Sequence, residues 1–243
     1  RQSRDADHLE IVGHDRELSH AREALRLGGL DRVELNLDLA LNKARLIIVA
    51  VPLGSLRETL EDVARLLEPE LGVVVTSIAP LMGPVLDWAR ELLPPGNPFV
   101  AGDIAPAPET AGWEPLTGAA AGRAELFEKA VYAIATQSTS HPSAIRTVTN
   151  LAAVLGADPL LVDPGEHDAV STLATALPDI AATALFQAVG EDPGWPETRK
   201  IAGRPLGTAT AATSGDAESR RMAALLGRTA LLRGLDRLRD RLD

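Results

Sequence analysis

The residues of this 243-residue chain whose types and spacing could do chemistry are carboxylates at the ends of apolar runs. Leu9-Glu10-Ile11-Val12-Gly13-His14-Asp15 reads as a β-strand that ends on an acid, with Arg16 beside it. A carboxylate at the end of the second strand of a dinucleotide-binding unit accepts hydrogen bonds from a ribose diol, whereas an arginine there accommodates a 2′-phosphate. Asp15 and Arg16 are therefore candidate cofactor-binding residues, and the choice between NAD and NADP stays open. A second apolar run, Leu46-Ile47-Ile48-Val49-Ala50-Val51-Pro52, closes on a proline. Its last residues, Val51 and Pro52, would lie against the same cofactor. A glycine-rich turn that holds a pyrophosphate should precede the acid-bearing strand. Only Arg1–His8 precede it here, without a glycine. The reading therefore expects a first strand and its turn to be missing from the given sequence.

Other chemistries fare worse. The chain has no cysteine, which excludes disulfides and thiolate-bound zinc. His8, His14 and His20 do not share a metal-ligand spacing on one element. Net charge is −10, from 24 Lys and Arg against 34 Asp and Glu, and no basic stripe is visible. That balance disfavours a nucleic-acid partner and leaves a small molecule as the expected ligand. The apolar run around Leu46–Leu53 falls well short of the ~20 residues needed to span a bilayer. A cytoplasmic protein without membrane contact is expected. Aromatic residues make up 3% of the chain while Ala and Leu abound, which favours helix packing.

These residues need a frame. Strands are expected at Leu9–Asp15, Arg32–Leu35, Arg45–Val51, Gly72–Ile78, Phe99–Ile104, Val131–Thr136 and Leu160–Asp163. Helices are expected between them at Arg16–Leu27, Leu56–Leu67, Val85–Leu93 and Pro142–Leu155. Alternating strands and helices imply an α/β fold with a doubly wound parallel sheet. The long Pro/Ala/Gly-rich segment Ala105–Gly122, with Glu109, Thr110 and Trp113, suggests a functional loop. Beyond Asp163 the pattern turns helical. Val170, Leu173, Leu177, Ile180 and Ala184 share one helix face, with Pro178 expected to kink it. A last helix is expected over Ala217–Leu242. The expected division is a Rossmann-like unit over 1–163 and a helical dimerisation unit over 164–243, because so few helices bury little surface alone.

The order of these pieces resembles the prephenate/arogenate dehydrogenase family. The resemblance rests on Val12-Gly13-His14-Asp15-Arg16, Ile48-Val49-Ala50-Val51-Pro52 and Phe99-Val100-Ala101-Gly102. It continues through Glu125-Leu126-Phe127, Leu155-Gly156-Ala157, Glu166-His167-Asp168 and Leu177-Pro178. It implies an enzyme that oxidises prephenate or arogenate with NAD or NADP and releases CO2, on the route to tyrosine.

At the family's chemical positions the chain departs from the pattern. Where the family has an acid, a serine and a lysine after the fourth strand, this chain has Ser77, Pro80 and Met82. The family's Ser-His-Pro after Gly102 is replaced by Asp103-Ile104-Ala105, and its Ser-His-Leu-Pro-His by Thr175-Ala176-Leu177-Pro178-Asp179. A substrate-binding arginine near Gly207 is also missing. Oxidising a ring alcohol needs a group that takes its proton, typically a histidine. Ile104 and Ala176 cannot do so. Asp103 and Asp179 are the candidate catalytic replacements, and Ser77 and Thr175 the candidate substrate contacts. His167-Asp168, at a helix start, reads as structural. Two functions follow: an NAD(P)-dependent oxidoreductase of this family, acting on the family's substrate or an altered one, or a catalytically inactive member acting as a dimeric ligand-binding or interaction protein.

Overall fold

The computed structural model describes residues 9–111, 121–136, 140–211 and 216–243. β1 (Val12–Gly13) and α1 (Leu18–Arg26) lead to β2 (Arg32–Val33), which pairs with β1 in a two-stranded parallel ladder. α2 (Leu37–Leu41) follows, capped by Asn36, whose Oδ1 accepts from the Asp38 amide at 2.9 Å. A five-stranded sheet then begins with β3 (Leu46–Val49), α3 (Leu53–Leu66), β4 (Val74–Ile78), α4 (Gly83–Leu92) and β5 (Phe99–Ala105). β3, β4 and β5 are parallel, in a register that aligns Val49, Ser77 and Ala101.

Side chains alternate across these strands, and each face has its own core. Val75 packs with Leu56, Leu60 and Val63 of α3 and Val85 of α4. On the opposite face Val74 and Val100 pack with the strand and helix that follow. α5 (Pro108–Ala111) and a 3-10 turn, Ala124–Phe127, lead to β6 (Val131–Ala135). α6 (Pro142–Leu155) then returns the chain to β7 (Asp158–Leu161), parallel to β6. Gly156 closes α6 at φ 78°, the left-handed conformation that glycine takes without strain.

The fold is α/β and Rossmann-like, with a parallel-dominant sheet followed by helices. It differs from a wholly parallel sheet at one joint: β6 runs antiparallel to β5, pairing Asp103 with Ala133. A parallel partner needs a crossover that returns the chain to the starting end of the sheet, usually a helix. The described part of this connection supplies only the one-turn α5 and the 3-10 turn. Of the long loop's candidates, the Thr110 side chain and Trp113 lie outside the described residues.

From Pro164 the chain is helical: α7 (Pro164–Ala174), α8 (Ala176–Gly190), α9 (Trp195–Ile201), α10 (Gly203–Thr210), α11 (Ala217–Leu226) and α12 (Arg228–Leu242). The helix expected across 170–184 breaks at Thr175 (φ −118°, ψ −63°) rather than bending at Pro178. Pro178 has no N–H to offer the Ala174 carbonyl, and its ring crowds that oxygen, so the break falls one turn earlier. The single helix expected over Ala217–Leu242 is also two, divided at Gly227, which packs on Thr172. The helical segment docks on the sheet unit through α11 against α3 and α7 against α4. The Gly54 amide donates to Ser219 Oγ at 3.2 Å across the first of these joints.

Much of the helical segment's apolar surface stays open. Val170 is 68% exposed, and Leu185, Phe186, Ile201 and Leu225 are also exposed. By length and composition Pro164–Gly190 could cross a membrane, with 22% of its most apolar stretch buried. The sequence expectation, which looked to Leu46–Leu53 for the longest apolar run, overlooked this stretch because Asp168 and Asp179 interrupt it.

Candidate functional site

Open α/β sheets bind ligands beyond the carboxyl ends of their strands. At that end of β4 and β5, alternation puts Ser77, Ala101 and Asp103 on the α3/α4 face, while Thr76 and Gly102 face α6. α4 starts here, and its first amides find a carboxylate from the helical segment. Met82 N donates to Asp168 Oδ1 at 2.6 Å and Gly83 N donates to Asp168 Oδ2 at 2.9 Å. Residue 83 must be small, since a Cβ there would sit 2.9 Å from Asp168 Oδ2.

His167, beside Asp168 on α7, reaches back to the sheet. Its Nε2 stands 3.4 Å from Asp103 Oδ2, and its Nδ1 stands 3.6 Å from Asp168 Oδ1. The second distance exceeds a hydrogen bond, and buried Nδ1 has no hydrogen-bond partner. Asp103 first, and Asp168 second, push the imidazole up to about 9 against the opposing effect of burial. At neutral pH the cluster is therefore an imidazolium between two carboxylates.

Two buried hydroxyls flank this site without partners: Ser77 Oγ and Tyr132 Oη. Burial raises the Tyr132 phenol, and the Asp103 charge adds to the rise. The neighbouring Thr76 hydroxyl pulls the other way but spends its own proton on the Val100 carbonyl, at 2.7 Å.

The structure brings together Asp103, His167 and Asp168, and the remaining candidates lie apart from them. Asp15 follows β1; its Oδ1 accepts from the Glu17 amide at 2.7 Å, and its other oxygen has no partner among the described residues. Arg16 turns toward α3, bonding Glu58 Oε2 at 3.0 Å and Asp62 Oδ2 at 3.2 Å. Val51 packs on the α3-side core, and Pro52 is the residue from which α3 starts. Thr175 Oγ1 donates to the Ser171 carbonyl at 2.8 Å. Asp179 lies in the first turn of α8, its carboxyl raised by burial, with Arg220 pulling the other way. Among the described residues, neither Thr175 nor Asp179 forms a hydrogen bond or ion pair with the cluster.

The pairing of His167 with Asp103 went unread in the sequence, where His167-Asp168 was taken for a helix start. Its one signal was an acid at 103 occurring together with a histidine in the first turn of α7.

Residues 3–160 match the family described as prephenate dehydrogenase, nucleotide-binding domain. The chain is similar to the prephenate dehydrogenase of Bacillus subtilis (strain 168), with 29% identity over 176 residues, covering 72% of this chain and 45% of the relative. It thus spans less than half the length of that protein. Its fold is similar to that of prephenate dehydrogenase from A. aeolicus in complex with hydroxyphenyl propionate and NAD+. There the TM-score is 0.82 at 19% identity, over 98% of this chain and 81% of the other. Synechocystis arogenate dehydrogenase is similar at a TM-score of 0.71 and 22% identity, over 96% and 81% of the two chains. At these identities the structural likeness speaks for the fold.

Proposed function

The chain belongs to the prephenate dehydrogenase family, and on that premise we propose that it is part of an NAD(P)-dependent oxidoreductase acting on a prephenate- or arogenate-like ring acid. The observation that carries this reading is the family match over residues 3–160. The residues present fit a dinucleotide. The free oxygen of Asp15 suits a ribose diol, and Val51–Pro52 close the strand at the same end. Arg16, engaged by Glu58 and Asp62, is not free for a 2′-phosphate, which favours NAD over NADP. Among the described residues β1 pairs only with β2 and β3 only with β4, and Ile48 of β3 is 43% exposed.

A bound NAD(P)+ would supply the hydride acceptor for oxidation of the alcohol. The alcohol's proton then needs an acceptor. The Asp103 carboxylate, 3.4 Å from His167 Nε2 near the carboxyl end of β5, is the candidate acceptor. Ser77, fully buried with an unpartnered hydroxyl, is a candidate contact on the same face. The exposed apolar faces of α7 and α8 suit a second copy of the chain, which supports a homodimer formed through residues 164–243.

A specific observation favours a second reading, a family member without turnover that binds a ligand or partner as a dimer. Met82, at the family's lysine position, is fully buried, and Ile104, at its histidine position, packs on the α6-side core. These positions serve packing. Calorimetry with NAD+ and NADP+ on the full-length protein, followed by turnover assays with prephenate and arogenate, separates the readings. Binding with turnover supports the oxidoreductase. Binding without turnover supports the second reading, and no binding of either dinucleotide removes the first.

A further inference from the structure

Asp103 and Asp168 approach His167 from different layers of the molecule. Asp103 lies near the carboxyl end of β5, while Asp168 holds the first amides of α4 from its place on α7. Among the described residues neither acid pairs with a lysine or arginine, so the imidazolium is the counter-ion to both. The His167 side chain is 14% exposed, against 23% for Asp103 and 18% for Asp168, so water screens the cluster poorly. Asp168 also has the two α4 amides, but Asp103 has no other cation among the described residues, so its charge opposes the contact of β5 with α7 once the imidazolium is neutral.

We propose that the His167 imidazolium is a proton-dependent fastener, holding the helical segment on the sheet while charged and loosening it when the proton leaves. The groups facing it are few. β5 supplies Asp103, while the Tyr132 phenol of β6, which feels Asp103, lies on the α6 face of the sheet. α7 supplies Asp168, with Asp163 and Glu166 in the turn before, where Asp163 Oδ1 accepts from the Glu166 amide at 3.0 Å. The first turn of α4 carries no acid, and no ion pair reaches the cluster from α12 among the described residues.

The direction with pH follows from linkage. A histidine held above its unfolded value of 6.5 stabilises fully below that pH, and its contribution fades as pH rises through about 9. The test joins an NMR titration of the His167 ring in the whole chain with melting curves of wild type, His167→Gln and Asp103→Asn from pH 6 to 10. The ring is expected to hold its proton through pH 8, and Asp103→Asn to lower its midpoint. The melting gap between wild type and His167→Gln is expected to close between pH 6.5 and 9. The protection factors of the Met82 and Gly83 amides, with the intrinsic rise of exchange with pH divided out, are expected to fall as the ring loses its proton. A ring that titrates near 6.5, or a melting gap constant from pH 6 to 10, overturns the proposal. The ring titration and amide exchange use only the wild type, so they decide the matter even where a variant fails to fold.

Discussion

Gly102 lies directly under the Tyr132 hydroxyl: a Cβ at residue 102 would stand 2.9 Å from Oη and 3.0 Å from the Ser77 carbonyl oxygen. The middle strand thus has no room for a side chain where β4 and β6 close over it. Gly102→Ala must push either a buried ring or a strand backbone. It is expected to destabilise by about 1–3 kcal/mol, read as a fall in the denaturant midpoint.

The same hydroxyl has no hydrogen-bond partner inside a fully buried side chain. Burying an unsatisfied polar group costs roughly 1–3 kcal/mol in proteins. Tyr132→Phe is therefore expected to leave stability unchanged or raise it, unlike most core substitutions. It should also soften Gly102→Ala, so that the double variant melts higher than the sum of the single changes implies. A strictly additive pair would show that Oη is not what residue 102 meets.

Asp168 has a larger task than a helix cap usually has, because the helix it caps belongs to the sheet unit. Asp168→Ala leaves two α4 amides unsatisfied and removes one of the two acids at His167. The expected cost is about 1–3 kcal/mol, as for a cap with charge-assisted bonds. Asp168→Asn, which keeps one acceptor, is expected to cost less. Equal losses for the two variants, measured by chemical denaturation, would show that the amides find other partners.

How far the sequence foretold this arrangement depends on whether the cause was local. α6 has the bounds read from its sequence, because Pro142 starts it and Gly156 stops it. β3 was legible as an unbroken apolar run, and β5 as a short strand that carries Asp103 among apolar residues. β1 is shorter than its apolar run, since only Val12 and Gly13 have a strand to pair with. The reversal of β6 and the break at Gly227 have no periodic signature. One depends on a connection whose described part holds no crossover helix, the other on Thr172 packing against a distant glycine. The candidate site divides in the same way. Asp103 stood out as an acid on a strand end, but its approach to His167 is created by α7 docking on α4, a tertiary event that no local pattern encodes.

Asp179 gives a pH dependence with its own sign. Burial raises its carboxyl above the ordinary 3.8, and Arg220 only partly offsets this. A carboxyl raised in the folded state stabilises only while protonated, so its contribution is present below pH 3.8 and lost as pH rises through the folded value. At pH 7 the buried charge works against the fold. Asp179→Asn is expected to raise the melting temperature at pH 7, with the gain shrinking toward zero as the pH approaches 3.8. A variant that melts lower than wild type at pH 7 would mean that the Arg220 attraction outweighs the burial.

Asp15 and Arg16 are neighbours with opposite expected effects on the cofactor. Asp15 keeps one carboxylate oxygen free beyond β1, whereas the Arg16 guanidinium is held on α3 by Glu58 and Asp62. Asp15→Ala removes an acceptor whose bond to a ribose hydroxyl is charge-assisted. On the proposed function it should weaken NAD+ binding about tenfold or more, as one such bond of ~1.5–3 kcal/mol implies. Arg16→Ala leaves that acceptor in place and is expected to change NAD+ affinity little. Glu58→Gln together with Asp62→Asn frees the guanidinium, and should improve NADP+ binding relative to NAD+ because an arginine beside the ribose can then meet a 2′-phosphate. Calorimetric titration of the full-length variants with both dinucleotides measures each effect. A loss of NAD+ affinity on Arg16→Ala as large as on Asp15→Ala would show that Arg16 leaves α3 to meet the cofactor.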